Sequence, residues 1–196
     1  ASEFGCRLNR ALALYPGETN LRMYNLLDSH DTARFLYEAG GDKARLRLAV
    51  AMQMTFPGCP AVFYGDEVGL SGGNDPDCRL AMEWDEEKQD KELLALYRKL
   101  IGIRRESPSL LRGDFRTCLC DDVSNVYAFH RTCGEDESLV VLNAGSEPVK
   151  TKIAAEGTWT PRISGRKPVS SESGGITVDL APCSAEIYQK KAKGRK

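Results

Sequence analysis

Near Pro108 the hydrophobic period of the chain changes from that of helices to that of strands, and few architectures accommodate both halves of such a sequence. On the N-terminal side, Leu8, Ala11, Leu12 and Tyr15 share one helical face closed by Pro16-Gly17, and residues 23–27 follow as a short buried strand. The spacing predicts a second helix over residues 42–56, with Leu48, Ala51, Met52 and Phe56 facing the core and Pro57-Gly58 as its stop. A strand over residues 61–64 comes next. Residues 65–79 hold four glycines and a proline and read as a long irregular loop, a kind of segment that in compact domains is usually functional. A third helix is expected over residues 90–106, with Leu93, Leu96, Tyr97, Leu100 and Ile101 on one face and Ser107-Pro108 as its stop. This order is a βαβ pattern with a parallel pair of strands.

Beyond Pro108 the β-type segments are residues 115–120, 126–132, 138–143, 149–153, 158–163, 176–180 and 185–189, separated by glycines at 134, 145, 157, 165, 174 and 175. Short strands at even spacing with turn residues between them indicate an antiparallel sandwich. The fold class is therefore α/β followed by all-β. We divide the chain into residues 1–107, residues 108–189 and a basic tail over residues 190–196. The first part poses a difficulty, because a parallel sheet needs both faces covered and more than two strands. Further strands are expected upstream.

Composition narrows the function classes. A net charge of -1 argues against a nucleic-acid partner, since the one basic block is residues 190–196. No apolar run approaches the ~20 residues of a membrane span, and the N-terminus leads into no signal-peptide core. Seven cysteines, an odd number without a regular framework, favour a reducing, cytoplasmic setting.

Two polar clusters follow the two first-half strands. Asn25-Leu26-Leu27-Asp28-Ser29-His30-Asp31-Thr32-Ala33-Arg34 places a titratable ring and a carboxylate side by side where a βα unit builds its site. Spacing alone leaves a helix cap by Ser29 or Asp31 with a structural histidine equally open. The second cluster runs Phe63-Tyr64-Gly65-Asp66-Glu67-Val68-Gly69-Leu70, then Gly72-Gly73-Asn74-Asp75-Pro76-Asp77-Cys78-Arg79, then Met82-Glu83-Trp84. Asp75 and Arg79 are read either as ligand contacts or as a self-paired loop brace. Glu67 and Gly65 are expected to hold the loop, Trp84 to pack or else to stack on a ligand ring, and His130 to be a surface or sheet-face histidine. Cys118-Leu119-Cys120 lacks zinc-ligand spacing and reads as alternate residues of one strand face.

Taken in order, these motifs resemble the α-amylase family of glycoside hydrolases (family 13), and within it the cyclomaltodextrinase, neopullulanase and maltogenic amylase branch. The resemblance covers about residues 5–106. It implies that the first part is the end of a (β/α)8 TIM barrel, strands seven and eight with their helices, followed by the family's C-terminal β-sandwich domain. A whole barrel takes ~250 residues, so the chain is expected to be a C-terminal segment.

The implied activity is cleavage or transfer of α-1,4-glucosidic bonds in maltodextrins or cyclodextrins by a retaining mechanism. The resemblance implies that Asp31 stabilises the transition state through sugar hydroxyls. It implies that His30 contacts the same sugar and that Asp75 and Arg79 contact glucose units further away. The nucleophile and general acid would lie on earlier strands, leaving the chain inactive alone. The implied partners are an α-glucan oligosaccharide, the preceding part of the same barrel and, as a further candidate, a second copy; no nucleic acid or membrane is expected. No cofactor or metal is expected, since residues 74–77 carry oxygen ligands of the sort some amylases give to calcium but lack an EF-hand loop. The alternative function is a non-catalytic carbohydrate-binding or assembly module, against which the sandwich's aromatics fall one per strand, as core residues would.

Overall fold

The structure, a computed structural model, describes residues 1–190; of the expected tail over residues 190–196, Lys190 instead ends the last strand and the rest lies outside the described residues. Its N-terminal part runs α1 (Ser2–Ala13), α2 (Gly17–Asn20), β1 (Tyr24–Leu26), α3 (Phe35–Glu38), α4 (Lys43–Thr55), β2 (Cys59–Ala61), α5 (Lys91–Glu106) and α6 (Pro108–Arg112). The sandwich comprises β3 (Asp114–Asp121), β4 (Val126–Cys133), β5 (Asp136–Asn143), β6 (Val149–Ala154), β7 (Thr158–Pro161), β8 (Val169–Ser170), β9 (Gly175–Leu180) and β10 (Ser184–Lys190).

Carboxylates start the two long helices. Asp42 accepts from the Ala44 and Arg45 amides at the head of α4, and Asp90 accepts from the Leu93 amide at the head of α5. Strands β1 and β2 pair in parallel with Tyr24 opposite Cys59 and Leu26 opposite Ala61, so both open their C-terminal ends to the same side. The Gln53 amide of α4 donates to the Asn25 and Ala61 carbonyls and ties the connecting helix to both strands. The turn into β2 needs glycine at position 58: its φ is 120°, and a Cβ there would lie 2.4 Å from the Asn25 side-chain nitrogen.

Several expectations shift. Strand β2 ends at Ala61, where the expected strand began. Strand β1 is not buried: Tyr24 and Leu26 are exposed because the described residues place nothing over them. On α4 the deeply buried residues are Leu46, Val50, Ala51 and Met54, while Leu48 and Met52 are half-buried. They line an apolar cleft of about 900 Å3, with Phe4, Leu8, Leu26 and Tyr127 opposite. On α5 Ile103 takes the inward place expected of Ile101, which is exposed.

The sandwich pairs a six-stranded sheet, ordered β3-β4-β5-β10-β7-β8, with the hairpin-like pair β6-β9. Strand β8 is an element the glycine-and-proline-rich sequence conceals. Strand β4 explains how the two parts join, because its first six residues are all buried. Tyr127 and Phe129 pack with Leu46, Tyr97 and Leu100 of the helices, whereas Val126 and Ala128 pack with Trp159, Ile176 and Val178 between the sheets. One apolar core thus runs through the junction. A β-bulge between Thr117 and Leu119 breaks the alternation expected for Cys118 and Cys120, leaving the first half-buried and the second exposed.

Two arginines fasten the junction. Arg104 of α5 donates to the Met54, Phe56 and Gly58 carbonyls, and Arg131 of β4 donates to those of Thr55, Gly113 and Asp114. Replacing Arg131 by Leu strands three buried acceptors, and a loss of about 2–4 kcal/mol in urea unfolding is expected.

Of the two positions expected for His130, surface or sheet face, the structure has the second: it lies on the inner face of β4 against Trp159 at 2% exposure. Its Nδ1 lies 3.2 Å from Glu137 Oε1. Burial pushes the imidazole below its ordinary value; Arg116 and Lys190 act in the same direction, against Glu137 and the Ala154 carbonyl. The native state therefore binds fewer protons than the unfolded chain, so this contribution is complete above about pH 6.5 and is lost as the pH falls. Urea unfolding at about pH 7.5 and 5 should show wild type losing stability relative to His130→Leu at the acid value.

Candidate active site at the strand mouth

Both sequence clusters meet at the C-terminal ends of β1 and β2. His30 and Asp31 stand exposed, with His30 Nε2 3.3 Å from Asp31 Oδ1. The Asp31 amide donates to Ser29 Oγ, whose hydroxyl also meets Thr32. From the loop after β2, Arg79 Nε lies 3.1 Å from Asp75 Oδ1 and donates to the His30 carbonyl at 3.0 Å. Cys78 Sγ reaches that carbonyl too, at 3.3 Å. All four expected site residues are therefore neighbours. The Asp75–Arg79 pair is indeed a brace, and its exposure leaves the outer faces of both groups free to meet a ligand.

Beneath this surface lies a cluster whose individual roles sequence reasoning missed, although its members stand within the two motifs. Arg34 is fully buried and donates to the Cys78 carbonyl (3.1 Å), the Tyr64 carbonyl (2.9 Å) and Asp66 Oδ1 (2.8 Å). Its guanidinium lies over the rings of Phe63 and Tyr64, which explains why the apolar run after Ala61 wraps a cation instead of extending β2. The Arg34 amide donates to the Gly72 carbonyl, and the loop approaches so closely there that a Cβ on Gly72 would sit 2.1 Å from the Asp77 carbonyl oxygen. Asp28, also buried, accepts from the Phe35 amide at 2.6 Å. Burial is the first cause that raises the Asp66 carboxyl to about 8, Asp28 adds to it, and Arg34 opposes it.

Glu67 accepts from the Gly65 amide, so these residues hold the loop as expected. Trp84 does not pack; it is 81% exposed. Among the described residues no group of three or more His, Cys, Asp or Glu is placed to hold a metal ion, and no helix is long and apolar enough to cross a membrane. The 900 Å3 cleft lies among α1, β1, α4 and the sandwich and includes none of the four site residues.

A pair of βα units with such a mouth occurs in many barrels, and comparison with known proteins decides among them. A sequence model described as alpha amylase, catalytic domain, matches residues 6–113. The chain belongs to the α-amylase family. Neopullulanase 2 of Thermoactinomyces vulgaris is 41% identical over 186 residues, 93% of this chain and 32% of the relative. A cyclomaltodextrinase of a Bacillus species is 47% identical over 143 residues, 73% of this chain and 26% of the relative. Among solved structures, a cyclomaltodextrinase superposes with a TM-score of 0.86 at 36% identity, covering 92% of this chain and 32% of that one. The native Nostoc punctiforme debranching enzyme superposes with a TM-score of 0.84 at 33% identity, covering 96% and 40%. The chain thus spans about a third of the length of the α-amylase-family glycosidases it matches, and it corresponds to the end of their barrel with the C-terminal β-sandwich.

The buried and exposed cations of the mouth should differ sharply on substitution. Arg34→Ala leaves Asp66 without its cation and is expected to cost roughly 3–5 kcal/mol in chemical denaturation. Arg79→Ala, at an exposed pair, should change stability by less than about 1 kcal/mol.

Proposed function

We propose that this chain supplies the sugar-gripping side of an α-glucan-cleaving active site whose nucleophile and general acid stand on barrel strands outside it. The observation that carries the reading is the convergence of His30-Asp31 and Asp75–Arg79 at one mouth, with Arg79 bonded to the His30 carbonyl. In a retaining mechanism two carboxyl groups about 5–5.5 Å apart flank the scissile bond and an oxocarbenium-like transition state forms between them. A third carboxylate that accepts ring hydroxyls favours that developing positive charge and helps hold the ring distorted. Asp31, exposed at the strand end, has the chemistry for this part.

His30 orients the same sugar through a hydrogen bond. Asp75 and Arg79 contact units further along the glucan. Substrates are maltodextrins or cyclodextrins, in keeping with the names of the relatives. Residues 1–107 act as the barrel end and residues 108–189 as the sandwich, whose Tyr127, Phe129 and Trp159 are buried and offer no stacking face. A cytoplasmic setting suits seven cysteines that form no disulfide in the structure. The partners of the working enzyme are the rest of the barrel and, through it, a second copy.

The 196-residue chain alone should show no turnover of cyclodextrin or maltoheptaose. Grafted in place of the C-terminal third of the Thermoactinomyces vulgaris neopullulanase, it should give an active enzyme, in which Asp31→Asn lowers kcat by a factor of about 10^2–10^3. Turnover by the isolated chain, or an active graft indifferent to Asp31→Asn, would refute the assignment.

A further inference from the structure

One peptide unit links the two residues proposed to grip the sugar, and it is held on both sides. Its carbonyl, that of His30, accepts from Arg79 Nε at 3.0 Å and from Cys78 Sγ at 3.3 Å, so both lone pairs of the oxygen are used. Its amide, that of Asp31, donates to Ser29 Oγ at 3.2 Å. A peptide unit is planar, so holding its C=O and N–H together constrains ψ of His30 and φ of Asp31. Those are the two main-chain torsions between the imidazole and the carboxylate, and His30 Nε2 stands 3.3 Å from Asp31 Oδ1. The donors to the carbonyl come from the second loop, not from the turn itself. We propose that Arg79 is a positioning residue for Asp31: through the His30 carbonyl it sets the aim of the carboxylate, whatever sugar unit its own guanidinium meets.

Arg79 is anchored for this part although its side chain is half in solvent. The main chain around it is tied down, because the Cys78 carbonyl accepts from Nε of the buried Arg34 at 3.1 Å and the Arg79 amide donates to the Pro76 carbonyl. Asp75 Oδ1 lies 3.1 Å from Arg79 Nε and holds the guanidinium charge in place. That nitrogen carries one hydrogen, and the hydrogen is directed at the His30 oxygen. The positioning contact thus uses Nε and leaves the terminal Nη groups to a ligand. The two roles sit on different atoms of one side chain and separate on substitution. The inference rests on the sugar-gripping reading for its catalytic meaning, whereas the hold on the peptide is measurable in the chain without substrate.

Two variants make the test. Arg79→Gln keeps a side-chain N–H as many bonds from the main chain as Arg79 Nε but loses the charge and the Nη fork, and Arg79→Met keeps the length without any donor. The side chain is half exposed, so both variants should fold. His30-Asp31 is the chain's one His-Asp pair, since the other histidine precedes Arg131. Isotope labelling of histidine at the carbonyl carbon and of aspartate at nitrogen therefore gives a single carbonyl-to-amide NMR correlation from this peptide. Its carbonyl carbon should move upfield in Arg79→Met and return towards the wild-type position in Arg79→Gln. In the neopullulanase graft, with a nitrophenyl maltoside of two glucose units as substrate, Arg79→Met should have a kcat lower than that of Arg79→Gln by a factor of about ten or more. Loss of a sugar contact alone would affect both variants alike, as a raised KM for maltoheptaose. A carbonyl signal unmoved by Arg79→Met overturns the proposal, as does an active graft in which the two variants share one kcat. An inactive wild-type graft would refute the α-glucan reading instead, and the NMR result would still decide the hold on the peptide.

Discussion

The fold depends on the C-terminal end of helix α4, where two arginines from different parts of the chain bond the last carbonyls of the helix and the turn after it. The free carbonyls of a helix end carry partial negative charge and attract cations. Here both cations are buried. Arg104 comes from the helix that follows the second barrel strand and Arg131 from the central region of the sandwich. The same helix end therefore locates β2, α5 and β4 relative to one another. Burial, with Arg104 beside it, pulls the Arg131 guanidinium down from its ordinary value, and Asp114 opposes this.

From that junction outward the structure falls into a firm side and an open side. Helices α4 and α5 close against the sheet through Leu46, Tyr97 and Leu100, and the sandwich closes on itself around Trp159. The parallel pair β1-β2 hangs from this block by the Gln53 amide and shows solvent the side chains of Tyr24 and Leu26. A barrel seals such faces with neighbouring strands, and relatives three times as long have the chain to do it. Below the mouth, Arg34 and Cys78 bond the carbonyls of the segments that carry its exposed residues.

Much of this was legible in the sequence where one physical cause dominated. Asp42 and Asp90 begin helices because a carboxylate caps exposed amides, and the second-half strands alternate with glycine turns. The His30-Asp31 and Asp75–Arg79 motifs stood out through the family resemblance, because spacing alone left a helix cap and a loop brace open. What sequence hid has causes too. Residues 61–64 look like a strand by their apolar run, yet the ladder ends where Phe63 and Tyr64 turn to cover Arg34. For His130 the sequence left surface and sheet face open, because a half-polar strand does not show that β4 is covered on both faces. Arg104 and Arg131 were invisible because their partners are main-chain carbonyls, which every residue possesses. Arg34, Asp28 and Asp66 lay in plain view within motifs, and only their burial separates them from the exposed groups beside them.

The two tryptophans occupy opposite extremes, one in each part of the chain. Trp84 is 81% in solvent on the segment after the mouth, and Trp159 is fully enclosed between the sheets with His130 at its edge and Lys190 over its ring. Their emission therefore divides by colour. A red-shifted component, open to aqueous quenchers, belongs to the barrel side, and a blue-shifted one, shielded from them, belongs to the sandwich. The molecule carries a built-in optical report on each of its parts, with no label attached.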